Sequence, residues 1–321
     1  MITAYVPSNG MLKPAGIATG GLIPDGTVWV DVVSPSDSDL AFLDEALGLD
    51  VPTEEDMQEI EMSSRLYHEE NALYMTAMMI TQADTPNPLS VPVTFVLAGH
   101  RLVTLRYAEP TPFKLYSVQS QRHVMPCATG EEVLAGLLDA IVDRVADILE
   151  RVQGDIDTLS REVFAHEVRP KRDYNVILSR IGRGYALTSQ ARESLVSFGR
   201  LVSFVARPSE ERLPKAMERG FKTIAGDISS LSDHASFLAN NISFTLDATL
   251  GLINNEQTSI IKIFSVAAVV FLPPTLIASI YGMNFEFMPE LSWTYGYPLS
   301  LGLMVVFAIL PYVFFKYRGW L

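Results

Sequence analysis

Residues 263–281 and 298–315 contain no charged side chain. Nineteen helical residues at 1.5 Å each nearly match the roughly 30 Å hydrocarbon layer of a bilayer. One such run could be the buried helix of a soluble core. Two in tandem, joined by sixteen residues, predict a pair of transmembrane helices. Basic residues stand only at the outer ends, Lys262 before the first run and Lys316 and Arg318 after the second. The connecting loop, 282–297, holds Glu286 and Glu290 and no base. The positive-inside rule then puts both termini in the cytoplasm and the loop outside. Trp293, Tyr295, Tyr297 and Trp320 fall where aromatic belts meet the membrane interfaces.

The rest of the composition narrows the function. Hydrophobic residues make up 48% of the chain, and the excess lies mostly after residue 262. A net charge of −13 leaves no basic surface for nucleic acid. The single cysteine, Cys127, rules out an internal disulfide framework and fits a reducing compartment. No basic segment followed by an apolar one opens the chain, so no signal peptide is expected. An enzyme is not expected either. "HEVRP" (166–170) lacks the second histidine of a zinc-protease helix, and "GRG" (182–184) follows no strand. The histidines, His68, His100, His123, His166 and His234, show no metal-ligand spacing, and no phosphate-binding loop for ATP-driven pumping appears.

Residues 1–125 read as a cytosolic α/β domain, with strands at 27–33 and 72–80 and a helix over 36–49. "VTFVLAGHRLVTLRY" (93–107) reads as a hairpin turning at Gly99-His100. Residues 126–212 read as an antiparallel pair of long helices. Thr129 and Glu132 offer a capping box, and apolar residues from Leu134 to Val163 recur at steps of three and four. Arg169-Pro170 should end the first helix, and the second should cover 173–206. Asp139, Asp143, Asp147 and Glu150 line another face, which is either solvated or a cation-sensing surface.

A third helix should start near Pro214. Its seam is Met217, Phe221, Ile224, Ile228, Leu231, Ala235, Leu238, Ile242 and Thr245. A stalk over 213–262 continuing through the first span, 263–281, gives a helix of about 100 Å. A short basic tail, 316–321, ends the chain. On a different face, seven-residue steps give Asp233, Asn240, Asp247, Asn254, Ile261, Ala268 and Thr275, polar first and then apolar with one hydroxyl. Simple solvent exposure explains the polar half equally well. Two spans cannot enclose a pathway, but a closed ring of copies can. Pro273 and Pro274 remove backbone hydrogen bonds inside the first span, so that stretch should face protein or water; a merely kinked anchor is the alternative. Gly282 lets the chain leave the helix, and the Asn284 amides of a ring would form a neutral crown of acceptors. Such a crown suits a small hard cation that keeps its water shell. Glu286 and Glu290 would raise the local cation concentration.

"YGMNFEFMPEL" (281–291) resembles the signature of the CorA family of magnesium transport proteins. The likeness extends through 257–279, "YGYP" and the terminal "KYRGWL", about sixty residues in all. The resemblance implies an α+β cytosolic domain, long coiled helices and two C-terminal transmembrane helices, assembled as a funnel-shaped homopentameric channel in the cell inner membrane. It implies uptake of Mg²⁺, with Co²⁺ and Ni²⁺ also carried, no covalently bound cofactor, and closure by cytosolic Mg²⁺. Gly282, Met283 and Asn284 would be the selectivity motif, with Asn284 meeting the metal through ion-bound water. Asp247, Asn254, Thr258, Ile261, Leu272 and Thr275 would line the pore. Near 264–265 the heptad favours Ser265 and the family likeness favours Phe264. A Zn²⁺ transporter of the same superfamily and a non-conducting cation sensor are the alternatives, and Met283 argues against the zinc branch.

Overall fold

Asn9 and Gly10 both hold positive φ, 54° and 76°, which is the backbone a two-residue hairpin turn needs. They join β1 (Ile2–Ser8) to β2 (Met11–Ile17), with Ser8 opposite Met11. The computed structural model describes residues 1–17, 21–69, 72–165, 173–206, 215–284 and 288–319. The chain divides into two units, Met1–Leu246 and Asp247–Leu321.

In the first unit, β3 (Trp29–Val33) is followed by α1 (Asp37–Leu47), α2 (Glu54–Gln58) and α3 (Met62–Arg65). Ser36 caps α1 through a capping box with Asp39. Next come β4 (Leu66–Glu69), β5 (Ala72–Thr81), β6 (Leu89–Ala98) and β7 (Arg101–Arg106). The predicted hairpin is β6–β7, turning at Gly99-His100 with Gly99 at φ 56°. The described strands form a seven-stranded sheet ordered β2-β1-β3-β7-β6-β5-β4. Only β3 and β7 pair in parallel; the other pairs are antiparallel.

Side chains alternate across this sheet, as the period of two requires. Val30, Val32, Val96 and Val103 pack with Leu43 of α1 and Met57 of α2. The opposite face carries Trp29 and Phe95. Phe95 meets Phe113 of α4 (Thr111–Arg122) and Phe198 of α6 (Tyr174–Val205), with ring centroids 6.1 Å apart in each case. Helices therefore cover both faces of the sheet.

α5 (Gly130–Phe164) carries the predicted apolar stripe, and Leu134, Leu138, Ile141, Val145, Ile148, Val152, Ile156, Leu159 and Val163 are all buried. Thr129 caps it, accepting from the Glu132 N–H. The reciprocal half of the predicted box is displaced, because the Glu132 carboxylate accepts from Ala128 N at 2.7 Å instead of from Thr129 N. The helix already ends at Phe164, and the predicted stop at Arg169-Pro170 lies outside the described residues. Arg180 near the start of α6 reaches Glu162 near the end of α5, 3.5 Å away. The two helices thus run antiparallel. Arg144 and Arg151 of α5 bind Asp84, while Arg183 and Gln190 of α6 donate to the carbonyls of Thr85 and Pro88. The β5–β6 turn is clasped by both helices.

α7 runs unbroken from Lys215 to Tyr281, 67 residues, or about 100 Å at 1.5 Å per residue. Its predicted start at Pro214 lies outside the described residues. Phe221, Ile224, Ile228, Ala235, Leu238, Ile242 and Thr245 of its seam are buried. Phe244 stacks on Phe164 of α5 at 5.8 Å. In the second unit a 3₁₀ turn (Pro289–Ser292) precedes α8 (Gly296–Tyr317).

Candidate functional site

The C-terminal half of α7 and all of α8 are long and apolar enough to cross a membrane. Only 6% of each apolar window is buried within the chain, so neither is the core helix of a soluble fold. Phe264, Phe271, Leu272 and Leu276 are each more than 60% exposed. Surface of that kind is stable against lipid or other copies of the chain, not against water. Lys316 lies in the last turn of α8, and Lys262 stands just before the first apolar stretch. The two spans return the chain to the side on which it began, and the charge distribution makes that side cytoplasmic.

At 100° per residue Asp247, Asn254, Thr258, Ile261, Leu272 and Thr275 fall within an arc of about 100° on α7. All six are exposed. Strict seven-residue steps from Asp247 reach neither Thr258 nor Leu272. Both are found by an eleven-residue step, Asp247 to Thr258 and Ile261 to Leu272, which follows a straight helix more closely. Thr258 donates its hydroxyl to the Asn254 carbonyl at 2.8 Å, and Thr275 donates to Phe271 at 2.7 Å. Each hydroxyl proton is therefore engaged with its own helix, and the oxygen is left to accept. Acceptors are what the protons of a metal-bound water require. Phe264 and Ser265 are both exposed, so exposure does not choose between them. α7 continues through Pro273 and Pro274 without a break.

At the end of α7 Gly282 still donates to the Ala278 carbonyl at 2.9 Å. A Cβ at Gly282 would lie 3.0 Å from that oxygen, so close approach, not left-handed backbone, accounts for the glycine. Met283 and Asn284 follow, both exposed. The Asn284 amide makes no hydrogen bond among the described residues. Glu286 lies outside the described residues. Glu290 falls in the 3₁₀ turn, and its side chain lies outside the description. Trp293, Tyr295 and Tyr297 are more than half exposed, while Trp320 lies outside the described residues.

In the first unit Asp139, Asp143, Asp147 and Glu150 sit on the exposed face of α5. Among the described residues no three His, Cys, Asp or Glu side chains are grouped to hold a metal ion. Within one chain the acidic face is therefore not a ready-made cation site. Partial burial, and then the like charges of Asp139, Asp147 and Asp227 of α7, push the Asp143 carboxyl above its ordinary pKa. A carboxyl raised in the folded state weakens the fold above that raised value. The deficit fades as pH falls toward the ordinary carboxylate range. Asp143→Asn should accordingly raise thermal stability at neutral pH by less than about 1 kcal/mol. The gain should vanish in acid, and melting curves of the two proteins across pH check it.

Residues 24–317 match the family described as CorA-like Mg2+ transporter protein. The chain is 35% identical to the magnesium transport protein CorA of Pectobacterium atrosepticum over 295 residues, 92% of either chain. It is 35% identical to the same-named protein of Pasteurella multocida over 321 residues, the full length of both. Among solved structures, the complete CorA magnesium transporter of Methanocaldococcus jannaschii superposes with a TM-score of 0.74 at 19% identity, covering 100% of this chain and 99% of the other. A family match of that extent, together with identity above 30% along the whole sequence, decides membership: the chain belongs to the CorA family.

Proposed function

We propose that copies of this chain surround an axis, five of them as the family resemblance implies, and conduct hydrated Mg²⁺ into the cytoplasm across the cell inner membrane. The observation that carries this reading is the exposed Asn284 amide, without a partner among the described residues, just past a helix of 67 residues. The Gly282-Met283-Asn284 motif forms the outer crown, where neutral oxygens receive an ion that dehydrates reluctantly. Inward from it the passage runs along the arc of Thr275, Leu272, Ile261, Thr258, Asn254 and Asp247. The level from Ile261 to Leu272 excludes water when the passage is narrow, and the hydroxyl and amide levels accept from the ion's waters. Glu286 and Glu290 concentrate cations outside. Co²⁺ and Ni²⁺, similar in size and equally octahedral, follow the same route.

No ATP is required. Each Mg²⁺ entering down an inside-negative potential gains about 4.6 kcal/mol per 100 mV, twice the single-charge value. Cytosolic Mg²⁺ acts as the closing ligand. In liposomes holding the purified protein, Mg²⁺ influx is expected to be faster when the cytosolic side is metal-free than when it holds millimolar Mg²⁺. Co²⁺ and Ni²⁺ should compete for influx and Zn²⁺ should compete least. Competition led by Zn²⁺ would reassign the cargo to zinc, absence of any flux would leave only a sensor, and flux indifferent to cytosolic Mg²⁺ would remove the closing ligand.

A further inference from the structure

Arg192, Val196 and Arg200 follow one another at four-residue steps on α6 and so share one face. That face borders a groove of about 380 Å³ whose far wall is built by β5 and the α3–β4 junction. Arg65, the last residue of α3, supplies a third guanidinium. Its Nε donates to the Glu59 carbonyl at 2.5 Å, which anchors the stem and leaves the terminal nitrogens without a partner among the described residues. Neither Arg192 nor Arg200 has a carboxylate or hydrogen-bond partner among the described residues. Among the described residues the one acid lining the groove, Glu193, is engaged with the Ser90 hydroxyl at 3.2 Å. The groove thus carries a net charge of about +2 on a chain whose formal charge is −13.

Leu66, Met78 and Val196 also line it and give it an apolar floor. Arginine's planar fork matches the oxygens of phosphate, and the volume lies in the range of small-ligand sites. We infer that this groove binds an organic phosphate ester carrying at least two negative charges and an apolar or aromatic body, as a nucleoside di- or triphosphate does. Simple solvation explains a lone surface arginine. It does not explain three of them lining one groove beside the exposed Ile60 and Val196, without an ion-pair partner among the described residues. The same chemistry is offered by an anionic lipid headgroup, so the source of the phosphate is part of the test.

Binding is read directly, without ion flux, so the result is independent of the transport reading. The purified, assembled, full-length protein in metal-free buffer is titrated with ATP, with inorganic triphosphate and with short-chain phosphatidic acid, whose headgroup is a phosphate monoester. Saturable binding of ATP, with triphosphate weaker for want of a body to cover the floor, is the expected result. Binding should fall at least tenfold in the Arg192→Gln/Arg200→Gln double variant. Val196→Glu, at a position 41% exposed and therefore harmless to folding, should remove it. Arg180→Gln, on the same helix but paired with Glu162, should leave it unchanged. Phosphatidic acid binding that the double variant loses, with no ATP binding, would assign the groove to a headgroup. No saturable binding of any probe, or equal binding by the double variant, overturns the site.

Discussion

Asn284→Ala is expected to abolish Mg²⁺-selective uptake while the protein remains assembled in the membrane. The amide is exposed and has no partner within the described chain, so its removal leaves no group unsatisfied and opens no cavity. What it takes away is one acceptor per copy at the mouth of the proposed passage. A neutral hydrogen bond contributes about 0.5–1.5 kcal/mol. Five copies in the proposed pentamer would then supply about 5 kcal/mol in total. Even half of that sum is a factor of about 60 in occupancy, at 1.4 kcal/mol per tenfold. Uptake by proteoliposomes, followed with a Mg²⁺-sensitive dye, is the measurement, with size-exclusion profiles to confirm assembly. Asn284→Asp separates the charge from the hydrogen bond. Its carboxylates would hold the ion more tightly and slow its release, so flux should drop while competition by other divalent ions strengthens. Undiminished Mg²⁺ flux in Asn284→Ala would remove the amide crown from the mechanism.

What could be read from residues alone is what depends on local periodicity. The buried seam of α7 and the apolar stripe of α5 repeat over many turns, and each repeat reinforces the last. The two spans are equally legible because a missing charge over eighteen residues has few other causes. The β1–β2 hairpin escaped this reading although its turn is announced by Asn9-Gly10. Pro7 and Pro14 disguise both strands, and β2 tolerates its proline because it is an edge strand. β4 is only four residues long and gives a period of two nothing to repeat over.

The site divides in the same way. The polar arc of α7 follows from helical geometry, yet seven-residue steps skip Thr258 and Leu272, which an unsupercoiled helix brings into line. The back-bonding of Thr258 and Thr275, which turns two hydroxyls into pure acceptors, depends on rotamers that no spacing encodes. The arginine groove joins Arg65 to residues of α6 far along the chain. Only the sheet packed against that helix brings them together.

Arg106→Met is expected to lower the stability of the first unit by about 3–5 kcal/mol, the range for breaking one side of a buried ion pair. Arg106 and Asp31 lie on the parallel strands β7 and β3, and less than a tenth of either side chain is exposed. The guanidinium meets the carboxylate twice, Nη2 to Oδ2 at 2.8 Å and Nε to Oδ1 at 3.1 Å. Its remaining nitrogen donates to the Ala108 carbonyl, and its plane lies 4.8 Å from the Phe113 ring centre. Oδ1 also accepts from Thr104 Oγ1, which in turn accepts from Trp29 Nε1, both at 2.9 Å. Truncating the arginine therefore strands a carboxylate at the end of a buried relay, where water cannot replace the missing donors. Thermal melting of the full-length protein in detergent should record a drop on the order of 10 °C. Adding Asp31→Val should recover most of it, because an apolar pair in place of a buried ion pair is close to neutral, and Thr104 keeps the bond from Trp29. A single variant that melts with the wild type would mean that water reaches Asp31. Since neither residue belongs to the polar arc of α7, the variant held below its transition should still rank Mg²⁺ above Zn²⁺. A changed ranking would couple this core to the ion's path.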